Sequence, residues 1–195
     1  MGASVANGDG RLAWNDIRSY RQVDRGNDKL RGIGLASYIE ACAFEGSEPA
    51  FVQLRQDGIV ELRIGTQSTG QGHATAYAQF AAEKLNLDIS KIEVRQGDTD
   101  ELPRGGGTGG SRSIPLGGVS SSRAGEALAL KIKKVAADEL EASSADIELQ
   151  DGIARIAGTD RSISFAGIAR AARSPEDVAA SGEFEQFEAT YPNGT

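Results

Sequence analysis

One cysteine and one histidine, Cys42 and His73, stand in a chain of 195 residues. That scarcity excludes an intrachain disulfide, cysteine-ligated iron–sulfur clusters and the usual Cys/His zinc sites. A Ser-His-Asp or Cys-His nucleophile would have to use His73. Cys42 lies in the apolar run ASYIEACAF and reads as a buried, inert thiol. No apolar run approaches the roughly 20 residues of a membrane span. The N-terminal MGASVANGDGRLAWND lacks the basic-then-apolar order of a secretory signal. A soluble, cytoplasmic protein is expected, with no membrane partner. Positive charge is in deficit: 21 Lys and Arg against 28 Asp and Glu give a net charge of −7. Such a chain repels phosphate backbones, so no nucleic-acid partner is expected. The densest basic group, KIKK at Lys131 to Lys134, reads as the solvated face of a helix.

What is present is a globular balance, 39% hydrophobic and 25% charged residues. Residues 1–30 are polar and irregular. From Leu30, RGIGLASYIEACAF reads as a strand. FVQLRQDGIVELRIGTQ places β-formers on both sides of Asp57-Gly58, a hairpin signal, with Val60, Leu62 and Ile64 on one face. Ala74, Tyr77, Ala78, Ala81 and Leu85 form the stripe of a helix that stops near Asn86 to Asp88. KIEVRQGD is a strand, and a helix from about Gly118 carries Ala124, Leu128, Ile132, Val135 and Ala136 on its buried face. DIELQDGIARIAG is a second Asp-Gly hairpin, Ser164 is placed to N-cap FAGIARAAR, and EFEQFEATY (Glu183 to Tyr191) closes as a strand. The order is β-β-β-α-β-α-β-β-α-β. It predicts an α+β fold, a mixed sheet with helices packed on it. Both ends read like cuts through a larger protein.

Two glycine loops interrupt this pattern. TGQGHATAYAQF (Thr69 to Phe80) joins a strand to a helix. Glycine lets backbone approach a ligand, and the helix start offers unpaired N–H groups and a positive dipole end, suited to phosphate or pyrophosphate. Gln71 adds an amide that donates and accepts. His73, in the first helical turn, reads as neutral and hydrogen-bonding. Taken alone, this loop is better explained as an ordinary strand–Gly–helix turn, because such junctions are common. The second loop, TDELPRGGGTGGSRSIP, is either a flexible linker or a ligand loop ending in Ser111-Arg112-Ser113, two hydroxyls around a guanidinium, an anion-binding set. Gly105, Gly107 and Gly110 match G-x-G-x-x-G, but the largely polar stretch Thr99 to Arg104 separates them from the strand, unlike a dinucleotide fold. GxxxxGK[ST] is absent. Asp98, Asp100 and Glu101 read as a solvated loop rather than an acid/base pair.

Taken in order, GTQSTGQGHATAYAQFAAEKLNL and IEVRQGDTDELPRGGGTGGSRS resemble the molybdenum-cofactor-binding large subunit of the molybdenum hydroxylases. This is the xanthine dehydrogenase, aldehyde oxidase and aerobic carbon monoxide dehydrogenase family, and the match is best to the carbon monoxide dehydrogenase-like branch. It covers about Arg31 to Arg173.

The resemblance implies a molybdopterin cofactor with molybdenum, often in the cytosine dinucleotide form, gripped by backbone amides and a few side chains. Gln71 would meet the cofactor near the metal or pterin, with Gly70, Gly72 and His73 shaping that contact. Thr108, Gly109, Gly110, Ser111, Arg112 and Ser113 would line a second contact around the pterin and phosphates. The metal would be held by the pterin dithiolene, so no protein ligand to metal and no catalytic residue is assigned. Residues 31–195 would be part of a cofactor-binding domain. The partners implied are the remaining lobes of the same large subunit, iron–sulfur and FAD subunits or domains, and a small aldehyde or N-heterocycle substrate. The catalytic glutamate of the family and the cysteine loop of carbon monoxide dehydrogenases are not seen, so carbon monoxide specificity is not implied. The isolated chain is expected to be inactive and to hold no cofactor. The alternative is a stand-alone phosphate- or nucleotide-binding module.

Overall fold

A computed structural model of the chain describes residues 41–43 and 45–188. The segment 1–30, expected to be irregular, and most of the strand expected before residue 45 lie outside the described residues. Strand β1 (Gly46–Leu54) turns into β2 (Val60–Ile64), paired antiparallel from Leu54↔Val60 to Ala50↔Ile64. The connection is the Asp57-Gly58 turn. Gly58 takes φ 86°, and its N–H donates to the Arg55 carbonyl at 2.9 Å. The Ile59 N–H and then the Arg55 guanidinium hold the Asp57 carboxyl below the usual carboxylate range.

From β2 the chain crosses through helix α1 (His73–Leu85) to β3 (Ile92–Gln96), which pairs parallel with β2. A one-turn π-helix (Ser113–Gly118) leads into helix α2 (Val119–Glu139). The final strand β7 (Ala179–Gln186) pairs antiparallel with β1 and gives the order β3-β2-β1-β7. This mixed sheet is fully buried at Val60, Leu62 and Ile64, as the period-two pattern predicts. The facing stripes are Tyr77, Ala78, Ala81 and Leu85 on α1 and Ala124, Leu128 and Ile132 on α2. Glycine sets two of the spacings. A Cβ on Gly125 would come within 3.1 Å of the Ala81 backbone, and one on Gly182 would overlap the backbone of Ser120 and Ala124.

A second sheet has the order β4-β5-β6, with β4 (Ile147–Gln150), β5 (Ile153–Ile156) and β6 (Ser162–Ser164) all antiparallel. Its first hairpin has Asp151 at φ 50° and Gly152 at φ 83°, the paired positive angles of a type I′ turn. Ser164 caps helix α3 (Phe165–Ala171), its hydroxyl accepting the Gly167 N–H at 3.1 Å.

Several expectations change. Strand β6 and the π-turn carry no period in sequence and were not predicted. The last strand begins four residues before Glu183, because 179–182 pair with Ala50 to Gln53, and it ends at Gln186, with 187 and 188 outside it; the predicted residues from 189 lie outside the described residues. Cys42 is exposed rather than buried, because it precedes the sheet proper, which starts at Gly46. Lys131 is half-buried, and its ammonium donates to the Glu176 and Ala179 carbonyls at 2.6 and 2.7 Å, so KIKK is only partly a solvated face. No helix among the described residues is long and apolar enough to cross a membrane.

Candidate functional site

The parallel pairing of β2 with β3 puts Ile64 beside Gln96, so the chain leaves both strands at the same sheet edge. Residues 65–72 and 97–112 are therefore neighbours despite their separation in sequence. In open sheets ligands sit at the carboxyl ends of parallel strands, which is where these loops meet. Their backbones touch: a Cβ on Gly65 would lie 2.6 Å from the Gly105 Cα, and one on Gly105 would lie 2.7 Å from the Gly65 Cα. Thr108 Oγ1 donates to the Gln67 carbonyl at 2.6 Å, and Gln96 Nε2 donates to the Thr66 carbonyl at 2.7 Å.

Tyr77 ties the loops from beneath. Its fully buried phenol lies 2.6 Å from Thr66 Oγ1 and donates to the Ser113 carbonyl at 3.1 Å. Burial pushes the Tyr77 hydroxyl above the ordinary tyrosine value, against the opposing pull of those hydrogen bonds. Tyr77 was legible as a core residue of the helix; its hydroxyl as a tie between loops was not.

In the first loop Gly70 and Gly72 have φ 110° and 79°, angles that favour glycine, and a Cβ on either would meet nothing within 4 Å. They are therefore glycines for backbone direction beside open space, not for tight packing. Gly72 is the N-cap residue of α1 and offers no side-chain cap. Gln71 is exposed; its amide oxygen accepts from the Thr69 N–H, from Thr69 Oγ1 at 3.1 Å and from Ser68 Oγ at 3.3 Å. That bonding orients its amide nitrogen, which has no hydrogen-bond partner among the described residues. His73 is buried, its ring 5.8 Å from that of Tyr77, and its Nδ1 is buried without a hydrogen-bond partner. The expectation of a hydrogen-bonded histidine thus fails at Nδ1: no donor or acceptor of the folded loop reaches it.

The second loop is anchored rather than a free linker. Gly107, Gly110 and Ser111 have φ 68°, 54° and 52°, and Thr108, Gly109 and Ser111 are exposed. Ser113 is buried, and its hydroxyl donates to Thr108 Oγ1 at 3.3 Å. Arg112 departs from its predicted place in an outward anion-binding set. Its guanidinium turns inward to Glu48 Oε2 at 3.1 Å, the Gly107 carbonyl at 2.8 Å and the Ser47 carbonyl at 2.9 Å. The cause is Glu48, a carboxylate of β1 that is fully buried and requires a cation. Glu48 went unnoticed in the sequence, although it shares the period-two face of Ala50, Val52 and Leu54. Asp98, Asp100 and Glu101 are all exposed; Asp98 accepts the Asp100 N–H at 3.0 Å and Glu101 faces Arg95.

The resulting surface has an exposed rim of glycine backbone, the Ser111 hydroxyl, the Gln71 amide and the start of α1; Thr108 is exposed there too, with its hydroxyl proton held by the Gln67 carbonyl. Glu48 is turned inward and paired with Arg112, while Asp98, Asp100 and Glu101 are exposed on the same loop. This donor set suits a polar, anionic ligand. No group of three or more His, Cys, Asp or Glu among the described residues could hold a metal ion.

Comparison with known proteins matches residues 10–195 to the molybdopterin cofactor-binding domain. The chain is 32% identical to the carbon monoxide dehydrogenase large chain of Hydrogenophaga pseudoflava, over 76% of this chain and 20% of that one. It is 34% identical to the gamma subunit of the 6-hydroxypseudooxynicotine dehydrogenase complex of Paenarthrobacter nicotinovorans, over 77% of this chain and 19% of that one. Among solved structures it superposes on carbon monoxide dehydrogenase from Oligotropha carboxidovorans with TM-score 0.63 and 30% identity, over 74% of this chain and 19% of that one. The α+β mixed sheet with its helices is thus the fold of part of such a subunit. The chain spans about a fifth of the length of the curated relatives it matches.

Proposed function

We propose a role for this chain from the premise that it belongs to the molybdopterin cofactor-binding domain family: within a molybdenum hydroxylase large subunit it supplies one wall of the cofactor site. Residues 31–195 act as part of that domain, and the remaining lobes of the same subunit complete the site. The observation that carries the reading is the meeting of two glycine loops at the carboxyl ends of parallel β2 and β3, beside a buried His73 Nδ1 that no described residue satisfies. The fit is chemical. The rim offers amides and hydroxyls to a pterin and its phosphates, and leaves the metal to the pterin's own dithiolene.

In this reading Gln71 and the backbone of Gly70 and Gly72 would hold the cofactor near its metal or pterin, and His73 would close the base of that contact. The loop-one hydrogen bonds from Ser68 and Thr69 leave the Gln71 amide nitrogen to donate toward ligand. Thr108, Gly109, Gly110, Ser111 and Ser113 line the phosphate-bearing part of the cofactor, in its cytosine dinucleotide form. Arg112 contributes by holding that loop from inside. When bound, the molybdenum cofactor supplies two-electron oxidation with water as the oxygen source. The residues of this chain bind it, orient it and exclude water from its buried side, and no catalytic base is assigned here. The substrate class is a small aldehyde, N-heterocycle or similar molecule. Iron–sulfur and FAD subunits or domains accept the electrons, in the cytoplasm.

Two measurements test the reading. The purified 195-residue chain should give no substrate-dependent dye reduction, and clear turnover would overturn it. The same chain titrated calorimetrically with common nucleotides should show no micromolar binding; such binding would favour a self-sufficient nucleotide module instead.

A further inference from the structure

We propose that Glu48 is the positioning residue of this site, a buried carboxylate that fixes where the second glycine loop sits against the first. The role in cofactor binding rests on the reading above; the role in loop position does not. Glu48 occupies the β1 face that continues with Ala50, Val52 and Leu54, and it is completely buried. An apolar residue there would extend the core. A carboxylate instead calls for a partner, and the partner comes from 64 residues away. Arg112, its side chain only 13% exposed, donates to Glu48 Oε2 at 3.1 Å, and the Gly106 N–H donates to the same oxygen at 2.7 Å.

The arrangement reaches both loops. Through Arg112 the pair also fixes the Gly107 and Ser47 carbonyls. Glu48 Oε1 has no hydrogen-bond partner; it packs against Gly65, where an added Cβ would lie 2.6 Å from it. Gly106 lies so close beneath the Arg112 guanidinium that any Cβ there would overlap it. One carboxylate therefore touches the start of the first loop and the middle of the second. This matters because residues 105–110 hold five glycines, and ordering each costs more backbone entropy than any other residue type. A buried ion pair adds little net stability over an apolar pair of similar volume, but it can select one register among several. Register is what a loop of this composition lacks.

Hydrogen–deuterium exchange on the 195-residue chain, read by mass spectrometry over 105–113, tests the assignment. Glu48→Gln removes the charge with little change of shape, and exchange in this segment should quicken about 10- to 100-fold while the melting temperature of the rest moves little. Exchange unchanged in a folded Glu48→Gln variant would overturn the proposal. If that variant does not fold, Glu48→Leu combined with Arg112→Met decides. An apolar pair keeps the melting temperature, so segment exchange that remains fast supports positioning, and protection restored to the parent level overturns it. Molybdenum content of the large subunit carrying Glu48→Gln separates the two readings. A fall supports both; unchanged content with fast exchange overturns the cofactor reading and leaves the loop assignment supported.

Discussion

Replacing Tyr77 with Phe removes one oxygen atom from a fully buried position and leaves two polar groups behind it. Thr66 Oγ1, 2.6 Å away, loses its side-chain partner, and the Ser113 carbonyl, 3.1 Å away, loses its donor. Thr66 is itself fully buried, so water cannot readily substitute. An orphaned buried polar group costs about 1–3 kcal/mol, and partial relaxation of Ser113 toward solvent lowers the sum, so the expected loss is roughly 2–4 kcal/mol. For a unit of this size that is a fall in melting temperature of about 5–15 °C. Urea denaturation followed by far-UV circular dichroism measures it. Thr66→Val removes the other side of the same bond, so the double variant should cost less than the sum of the singles by about 1 kcal/mol or more. A Tyr77→Phe loss under about 0.5 kcal/mol, or strict additivity with Thr66→Val, would refute the view that this phenol ties the loops.

Other expectations follow from the same structure. Because burial raises the Tyr77 hydroxyl above its usual value, the folded chain holds that proton when the unfolded chain has lost it; stability from this group is complete below the ordinary tyrosine range and is lost as pH rises through it toward the folded value, and spectrophotometric titration should find one tyrosine ionising last. Gly182→Ala should destabilise the fold by about 3 kcal/mol or more, since its methyl would enter the backbone of α2, and chemical denaturation would expose a tolerated substitution. Gly72→Ala should cost roughly 1–2 kcal/mol through φ 79° alone, because the added methyl meets open space; a larger loss would show a steric contact that the structure lacks. Gln71→Ala should leave stability within about 0.5 kcal/mol yet lower molybdenum content or turnover of the large subunit, and unchanged content and rate would make Gln71 a turn residue only.

Much of the fold was legible because it rests on local rules. Asp57-Gly58 and Asp151-Gly152 turn where Asp-Gly should, α1 ends at Asn86 in a left-handed cap, and Ser164 caps as its chemistry suggests. The glycine loops were recognisable as a pair, and parallel pairing explains why they meet. What escaped was non-local. Nothing near Arg112 in sequence says that its partner is Glu48, so an arginine between two serines was read as facing outward. The strand β6 has three residues and no period, and the π-turn is set by packing of Gly117 and Gly118 against Tyr77 and Phe80. Exposure of Cys42 followed from where the sheet begins, which its apolar neighbours did not reveal.

The pairing of β1 with β7 bears on how the molecule is made. The two strands are separated by most of the described chain, and closing so long a loop carries an entropic cost that local hairpins avoid. The β1–β2 hairpin and the α1 crossover can form as soon as they leave the ribosome, but β1 then keeps an open edge until residue 186 has been synthesised. Glu48 sits on that edge, opposite Phe184. The carboxylate that organises the second loop is thus enclosed only once β7 has paired, so that a chain interrupted before Ala179 would present an unpaired strand and an incomplete site together, a species suited to aggregation or to capture by chaperones.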